Sequence, residues 1–541
     1  MSPRRAVVLP LLAVAAALGF AAVFFRLWRF VIDDAFISLR YARNLALGHG
    51  LVYNAGERVE GYTNFLWTLF LALPHLLRVD PIAAGKIANL ILALATAWIV
   101  YRLGRETIVV PPPAVKVAAS GGKAGARRAP GSRAPAARGE PATGAAGGAH
   151  AAPGADDAAQ LAALAAFLFL AMPAVVLSAA EGMETMLFTF LLALGALWFF
   201  TEREPRSFPR SALALAALAL TRPDGAVFGP FLLAVAAAWR RPRGYRLRFA
   251  ALFFGIGALY FVARWAFYGQ LLPNTFYAKG AGTGALLARG WLQLAAFGRE
   301  CGAIAWLATI PALIARRSRR AALVLLGIVA LRIAFQLYSG GAWMGRYRFL
   351  VPVIPFVGLL VVAGLASIRS RLARRAALAA AAAVLLVPAW LMYPGMESIA
   401  LDYADSLRRA HIPLGREVHA RTGPGAVMAM DDAGAGPYYA ERANIDMLGL
   451  NDRHIAHLPG SYNEKFDVGY VLGRRPDLVV LASRVPEPAV ESDLRLAGHA
   501  ALFGDPRFRA AYRLARRYEF NPTYWLIVYR RLDSTEVPAD F

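Results

Sequence analysis

Apolar runs long enough for one crossing recur along the chain at roughly 6–29, 83–103, 159–178, 184–200, 209–222, 224–240, 249–267, 292–314, 321–338, 349–368 and 374–393. A spanning helix needs about 20 such residues, so the pattern predicts about eleven transmembrane helices. One more apolar stretch, YTNFLWTLFLALPHLLR at 62–78, decides the topology. If it crosses, every basic loop falls outside: 104–157, Arg203 to Arg210, RRPRGYRLR (240–248), ARRSRR (315–320) and RSRLARR (369–375). If it lies along the outer interface, all of them fall inside, where short Lys- and Arg-rich loops belong. The second threading is adopted. The N-terminus is then cytoplasmic, 31–82 is the first external loop, and the C-terminus is external.

From about 395 the pattern changes to that of a soluble chain. GAVMAMDDAGAGPYYA (425–440) reads as a strand followed by a glycine turn, and DLVVLAS (477–483) and YWLIVYRR (524–531) read as strands. The fold class is a polytopic α-helical membrane protein with juxtamembrane helices in its first external loop and a C-terminal extracytoplasmic α/β domain. The domains are 1–394 and 395–541.

Composition sharpens this picture. Of 541 residues, 58% are hydrophobic and the mean hydropathy is +0.45, above the usual 45–50% apolar share of soluble chains. The net charge of +24 comes from blocks between apolar runs, which fits cytoplasmic loops and not nucleic-acid binding. The basic MSPRR start and the long run after it read as an uncleaved first helix, because no small-residue cleavage site precedes Trp28-Arg29-Phe30. Residues 104–157 form a cytoplasmic insertion; from 111 they are Ala, Gly, Pro and Arg with hardly a bulky apolar residue, too few to offset ordering entropy. The single cysteine, Cys301, excludes an intramolecular disulfide framework and a cysteine-built metal site.

The chemistry is concentrated in the external segments. Asp33 and Asp34 open a helix whose faces carry Asp33, Ile37, Arg40 and Asn44 on one side and Asp34, Ser38 and Tyr41 on the next. Asp at a helix start is also a simple cap, favoured there by the dipole. Two adjacent carboxylates at a membrane surface repel, however, and burial raises the pKa of the less solvated one, which suits a general base for an alcohol. Candidate binding residues are Arg40, Asn44, Glu60, Tyr62 and Asn64 in the first loop, Glu184, the Arg222 and Asp224 hinge, and Arg264, Asn274, Tyr277, Lys279, Arg346 and Arg348. The cations among them suit a phosphate. His454 and His457, three apart, have the spacing of a metal pair, but a polar HxxH reads more commonly as a solvated turn of helix, and no metal ligand is assigned. No GxxxxGK[ST] loop and no GxGxxG between strand and helix is present, which argues against an ATP-driven pump or a nucleotide-binding domain.

The stretch DDAFISLRYARNLALGHGLVYNAGERVEGYTNFLW resembles the first external loop of bacterial GT-C membrane glycosyltransferases, in the group that includes the mycobacterial terminal β-(1→2)-arabinofuranosyltransferase. EGMETMLF, LTRPDG, YGQLLPNTFYAK, GRYRFLVPVIP and DMLGLND resemble that group in the same order. The resemblance implies a polyprenyl-phosphate sugar donor, a cell-envelope glycan or lipid acceptor, and inverting transfer with Asp33 or Asp34 as base. It gives Arg264, Lys279, Arg346 and Arg348 the leaving phosphate, and the 62–78 helix the entry of the lipid donor. It implies the bacterial plasma membrane as location and leaves a divalent metal open. The alternative is a secondary transporter or lipid-linked sugar flippase, whose signature is a pair of matched broken helices; one broken pair, 209–240, is seen.

Overall fold

The computed structural model describes residues 3–110, 155–204, 206–280, 283–342 and 347–541. Each apolar run becomes a helix or a bent helix pair. Helix α1 (Pro3–Arg26) leads to α2 (Asp33–Ala46), α3 (Phe65–Leu76) and α4 (Pro81–Thr107). Asp80 caps α4 by accepting the Ile82 and Ala83 N–H groups, and Pro81 fills the first position, which needs no donor. Next come α5 (Ala155–Ala171) and α6 (Pro173–Ala180), then α7 (Thr185–Thr201), α8 (Arg210–Thr221), α9 (Phe228–Ala238) and α10 (Arg243–Tyr268). The short α11 (Asn274–Ala278) precedes α12 (Thr283–Glu300), α13 (Ile310–Ile314), α14 (Arg319–Ser339), α15 (Ile354–Ala366) and α16 (Arg371–Arg409).

Among the described residues, α4, α10, α14 and α16 are long and apolar enough to cross a membrane. Two bent pairs bring the number to six if each is one span: Asp156–Ala171 with Pro173–Ala180, at 55°, and Gly284–Glu300 with Ala303–Ile314, at 80°. The remaining apolar helices are shorter, so helix length alone does not reach the expected eleven. With 12 residues, α3 is about 18 Å long at 1.5 Å per residue, well short of a hydrocarbon core of about 30 Å.

The insertion expected over 104–157 is narrower at both ends. Residues 104–107 finish α4 and 155–157 begin α5, where Asp157 pairs with Arg374 at 2.6 Å. Residues 111–154 lie outside the described residues.

No break separates the membrane part from the C-terminal domain at 394. Helix α16 continues through Pro388 and Pro394 for 39 residues, about 58 Å, so a membrane-sized first half carries a second half that packs into the domain. There α17 (His411–Arg421), β1 (Val427–Met430), α18 (Ala435–Ala440), β2 (Ala443–Asp446), β3 (Leu478–Ser483), β4 (Tyr512–Asn521) and β5 (Tyr524–Arg531) follow. The sheet order is β2-β1-β3-β5-β4; β1 runs parallel to β2 and β3, while β5 is antiparallel to β3 and β4. Alternate residues leave opposite faces. Met428, Met430, Val480 and Val528 share one hydrophobic core with Phe36 and Leu39 of α2 and Leu414 of α17. Ala429, Val479, Leu481 and Ile527 face the other core, with Ile455 and Leu502. Helix α2 and the C-terminal domain are thus packed as one unit.

Candidate active site

Helix α2 has no side-chain cap; Ile32 precedes it in extended backbone and donates its N–H to the Glu181 carbonyl at 3.1 Å. The two aspartates of its first turn are about 100° apart around the axis, and their surroundings differ completely. Asp33 is buried. Its Oδ1 accepts the Ala435 N–H at 2.7 Å and its own N–H donates to the Tyr403 hydroxyl at 3.3 Å. Gly434 passes so close that a Cβ there would overlap the Asp33 carboxylate. Burial pushes Asp33 up to about 7; Asp432 and Asp34 add to this, while His411 and the Ala435 N–H oppose it.

Asp34 is half-buried and makes no hydrogen bond or ion pair among the described residues. Its charge acts on Lys279 and Arg348. The Lys279 side chain is likewise free of hydrogen bonds and ion pairs among the described residues, and the residue is solvent-exposed. Burial nevertheless lowers its ammonium pKa, Asp34 opposes that shift, and Arg348, Arg222 and Arg289 reinforce it.

Behind Asp34 a polar chain crosses the mouth of the helical region. Ser38 donates to Asn64 at 3.1 Å, and Asn64 donates to Glu184 at 2.9 Å. Glu184 in turn takes Arg348 at 3.0 Å and Arg222 at 3.6 Å. Arg222 also pairs with Asp224 at 3.0 Å, and Asp224 pairs with the buried Arg332. Arg348, Arg222 and the Asn64 amide thus all converge on the buried Glu184 carboxylate. Arg348 keeps a buried Nε with no partner among the described residues.

Other residues singled out in the sequence use their polar atoms on the protein itself. Arg40 donates to the carbonyls of Tyr53, at 2.8 Å, and Arg442, at 2.6 Å, and to that of Pro437. Asn44 braces the loop through the Val52 and Tyr53 carbonyls, at 2.8 and 2.9 Å. Glu60 is buried in an ion pair with Arg264, which also donates to Gln270 and Leu271. Tyr62 is buried, against Tyr41 and the Tyr268 hydroxyl. Asn274 donates to three carbonyls of the C-terminal domain, Gly449, Leu450 and Asp452. Tyr277 stacks on His457 at 4.4 Å. Arg346 lies outside the described residues.

The metal pair is not assembled. His454 bonds Asp467 at 2.8 Å and His457 bonds the Arg453 carbonyl at 2.8 Å. Among the described residues no three His, Cys, Asp or Glu side chains are grouped to hold a metal ion. Among the described residues the donors do not assemble a site for the divalent metal left open above, and no step below is routed through one.

The structure adds residues that the sequence reading passed over. A second acid pair, Asp431 and Asp432, follows β1, and Asp432 accepts hydrogen bonds from His411 and from the Tyr524 hydroxyl, both at 2.7 Å. Arg289 on α12 donates to the Gly340 carbonyl at 2.8 Å beside the Lys279 group. The repeated Asp-Asp at a strand end was the available signal. An apolar cavity of about 820 Å³ opens between α12, α14 and α16, lined by Trp291, Leu294, Gly298, Trp306, Ile333 and Val387 among others; α3 contributes nothing to it.

Comparison with known proteins gives these features a context. Residues 400–533 match a family described as Domain of unknown function (DUF8728). The chain is 29% identical over 285 residues to the terminal β-(1→2)-arabinofuranosyltransferase of Mycobacterium tuberculosis, covering 50% of this chain and 38% of that protein. It therefore spans well under half the length of that curated relative. The crystal structure of ArnT from Cupriavidus metallidurans bound to undecaprenyl phosphate superposes with a TM-score of 0.55 at 14% identity, covering 98% of this chain and 99% of that one. The oligosaccharyltransferase AglB of Archaeoglobus fulgidus, solved with an inhibitory peptide and a dolichol-phosphate, gives 0.51 at 12% identity, covering 88% and 70%. The chain thus has the fold of ArnT and AglB, and its sequence resembles the terminal β-(1→2)-arabinofuranosyltransferase.

Proposed function

We propose that this chain is an inverting glycosyltransferase that moves a sugar, of the arabinofuranosyl type, from a polyprenyl-phosphate donor to a hydroxyl of a cell-envelope glycan. It works at the outer face of the bacterial plasma membrane, with the N-terminus cytoplasmic and the C-terminal domain outside. The observation that carries this reading is Asp34: a half-buried carboxylate with no partner among the described residues, held beside the free cation Lys279.

Asp34 takes the proton of the acceptor hydroxyl as that oxygen bonds to the anomeric carbon from the side opposite the leaving group. The bond from the anomeric carbon to the phosphate oxygen breaks, and its electron pair leaves with polyprenyl phosphate. Lys279 and Arg348, with Arg222 and Arg289 nearby, meet the charge that develops on that oxygen, and such preorganised charges act mainly on the transition state. Arg348 is held in place by Glu184, which Asn64 and Ser38 orient.

The donor's lipid chain is assigned to the cavity between α12, α14 and α16. Helix α12 carries Arg289 beside the cationic group, and Trp291, Leu294 and Gly298 below it line that cavity. Nine residues from Arg289 to Gly298 rise about 14 Å along the helix, so one element joins the phosphate site to the apolar site. Donor entry thus falls to α12 and not to α3. Transfer assayed in membranes with a labelled polyprenyl-phosphate arabinofuranose tests the reading; a purified, folded wild type that transfers no sugar from it or from hexose analogues sinks it.

A further inference from the structure

At the carboxyl end of β1 the C-terminal domain sets polar side chains beside the first turn of α2. In open α/β sheets ligands bind outside the carboxyl ends of parallel strands, where connections leave to opposite sides. Strand β1 is such a place: its parallel neighbours are β2 on one side and β3 on the other, and the chain crosses from β2 to β3 past it. Asp431 and Asp432 stand directly after β1, and the Asp432-to-Ala435 turn closes on Asp33 of α2. The carboxyl end of β1 therefore opens towards the first turn of α2.

Three observations say what is held there. Asp432 is partly exposed, at 27% of its side chain, and its Oδ2 is fixed by His411 and Tyr524 while Oδ1 has no hydrogen bond among the described residues. Tyr462 is half-buried among Asp34, Asp431, Asp432 and Asp446, and its hydroxyl has no partner among the described residues. Behind them His499, 1% exposed, aims an unpartnered Nε2 at the equally unpartnered Oδ1 of buried Asp431 from 3.9 Å. That gap is too long for a direct hydrogen bond. Buried polar atoms are rarely left unpaired.

We propose that Asp432 and Tyr462 form the acceptor subsite of this enzyme: a pocket that takes a neutral, hydroxyl-rich glycan and presents one of its hydroxyls to Asp34. The chemistry selects that class. A carboxylate oxygen accepts from sugar hydroxyls, a phenol both donates and accepts, and an aromatic face packs on a sugar ring. Asp432, whose carboxyl is held, against the effect of burial, below its ordinary value chiefly by His411, supplies negative charge here and disfavours anions. The proposal rests on the transferase reading and adds that the domain matching a family of unknown function supplies the acceptor side of the site.

The test uses the full chain in detergent, with a hexa-arabinofuranoside and maltohexaose as probes, and follows equilibrium binding and acceptor KM. Asp432→Asn is expected to weaken binding of the preferred glycan at least tenfold and to raise acceptor KM similarly, with donor KM unchanged. Tyr462→Phe, which keeps the ring, is expected to weaken binding less and to leave the melting temperature in place. Glycan binding unchanged in both variants overturns the proposal, as does a wild type that binds neither probe. A wild type that binds a glycan yet never glycosylates it sinks the transferase reading and leaves the subsite standing. Normal transfer with unchanged acceptor KM in Asp432→Asn does the reverse.

Discussion

The carboxylate of Asp33 accepts the backbone N–H of Ala435 at 2.7 Å across 402 residues of chain. This bond ties the first external loop to the C-terminal domain and divides the labour of two adjacent aspartates. Asp33 is tied to the C-terminal domain, and the charge of Asp34, one residue on, acts on Lys279.

Asp34→Asn is expected to reduce transfer at least about 100-fold, the lower end of what a general base contributes, without loss of the folded chain. Asp33→Asn keeps an acceptor oxygen for the Ala435 N–H and is expected to stay within about tenfold of wild type. Transfer rates of the two purified variants decide the assignment, and the opposite ranking overturns it.

Lys279 meets no protein partner among the described residues, so its removal leaves no buried group unpaired. Lys279→Gln is expected to lower donor kcat/KM roughly 10- to 100-fold, the worth of one charged hydrogen bond of about 1.5–3 kcal/mol. Lys279→Arg is expected to recover part of it. Titration with undecaprenyl phosphate checks that the loss is in the phosphate contact.

The pH dependence of stability follows from Asp33. Its folded pKa, raised to about 7 chiefly by burial, exceeds the unfolded value of about 3.9. Its contribution is therefore fully present below about pH 4 and is lost as pH rises through about 7. Melting temperature is expected to fall between pH 5 and pH 8 more steeply in wild type than in Asp33→Asn. Equal slopes would contradict the buried, largely neutral carboxyl described here.

Gly434→Ala places a methyl group on the Asp33 carboxylate and is expected to loosen the docked domain. Limited proteolysis is the measure: cleavage within 395–541 speeds up in the variant while the membrane part stays intact.

Arg332→Met leaves Asp224 buried with one counter-ion fewer. Breaking a buried pair from one side costs about 3–5 kcal/mol, so folded yield in detergent is expected to drop sharply. Adding Asp224→Asn is expected to restore much of it. A double variant as poor as the single one would show that the pair does more than balance charge.

The amino-acid pattern by itself determined the membrane class, the position of the apolar helices and of α2, three of the five strands and the acid pair at 33 and 34, because hydrophobic periodicity and helix-start chemistry are local. Strands β2 (ANID) and β4 (YRLARRYEFN) were not legible, since their polar residues sit in a sheet held by pairing with β1 and β5. Nor were the roles of Arg40, Asn44, Glu60 and Asn274, whose charge and polarity suggested substrate contacts and whose hydrogen bonds go to backbone carbonyls or a buried partner. Only the tertiary structure decided that Asp33 bonds Ala435 while Asp34 meets no partner among the described residues. Helical geometry puts neighbouring residues on different faces, but what covers each face is settled by segments some 400 residues away, and no local pattern carries that information.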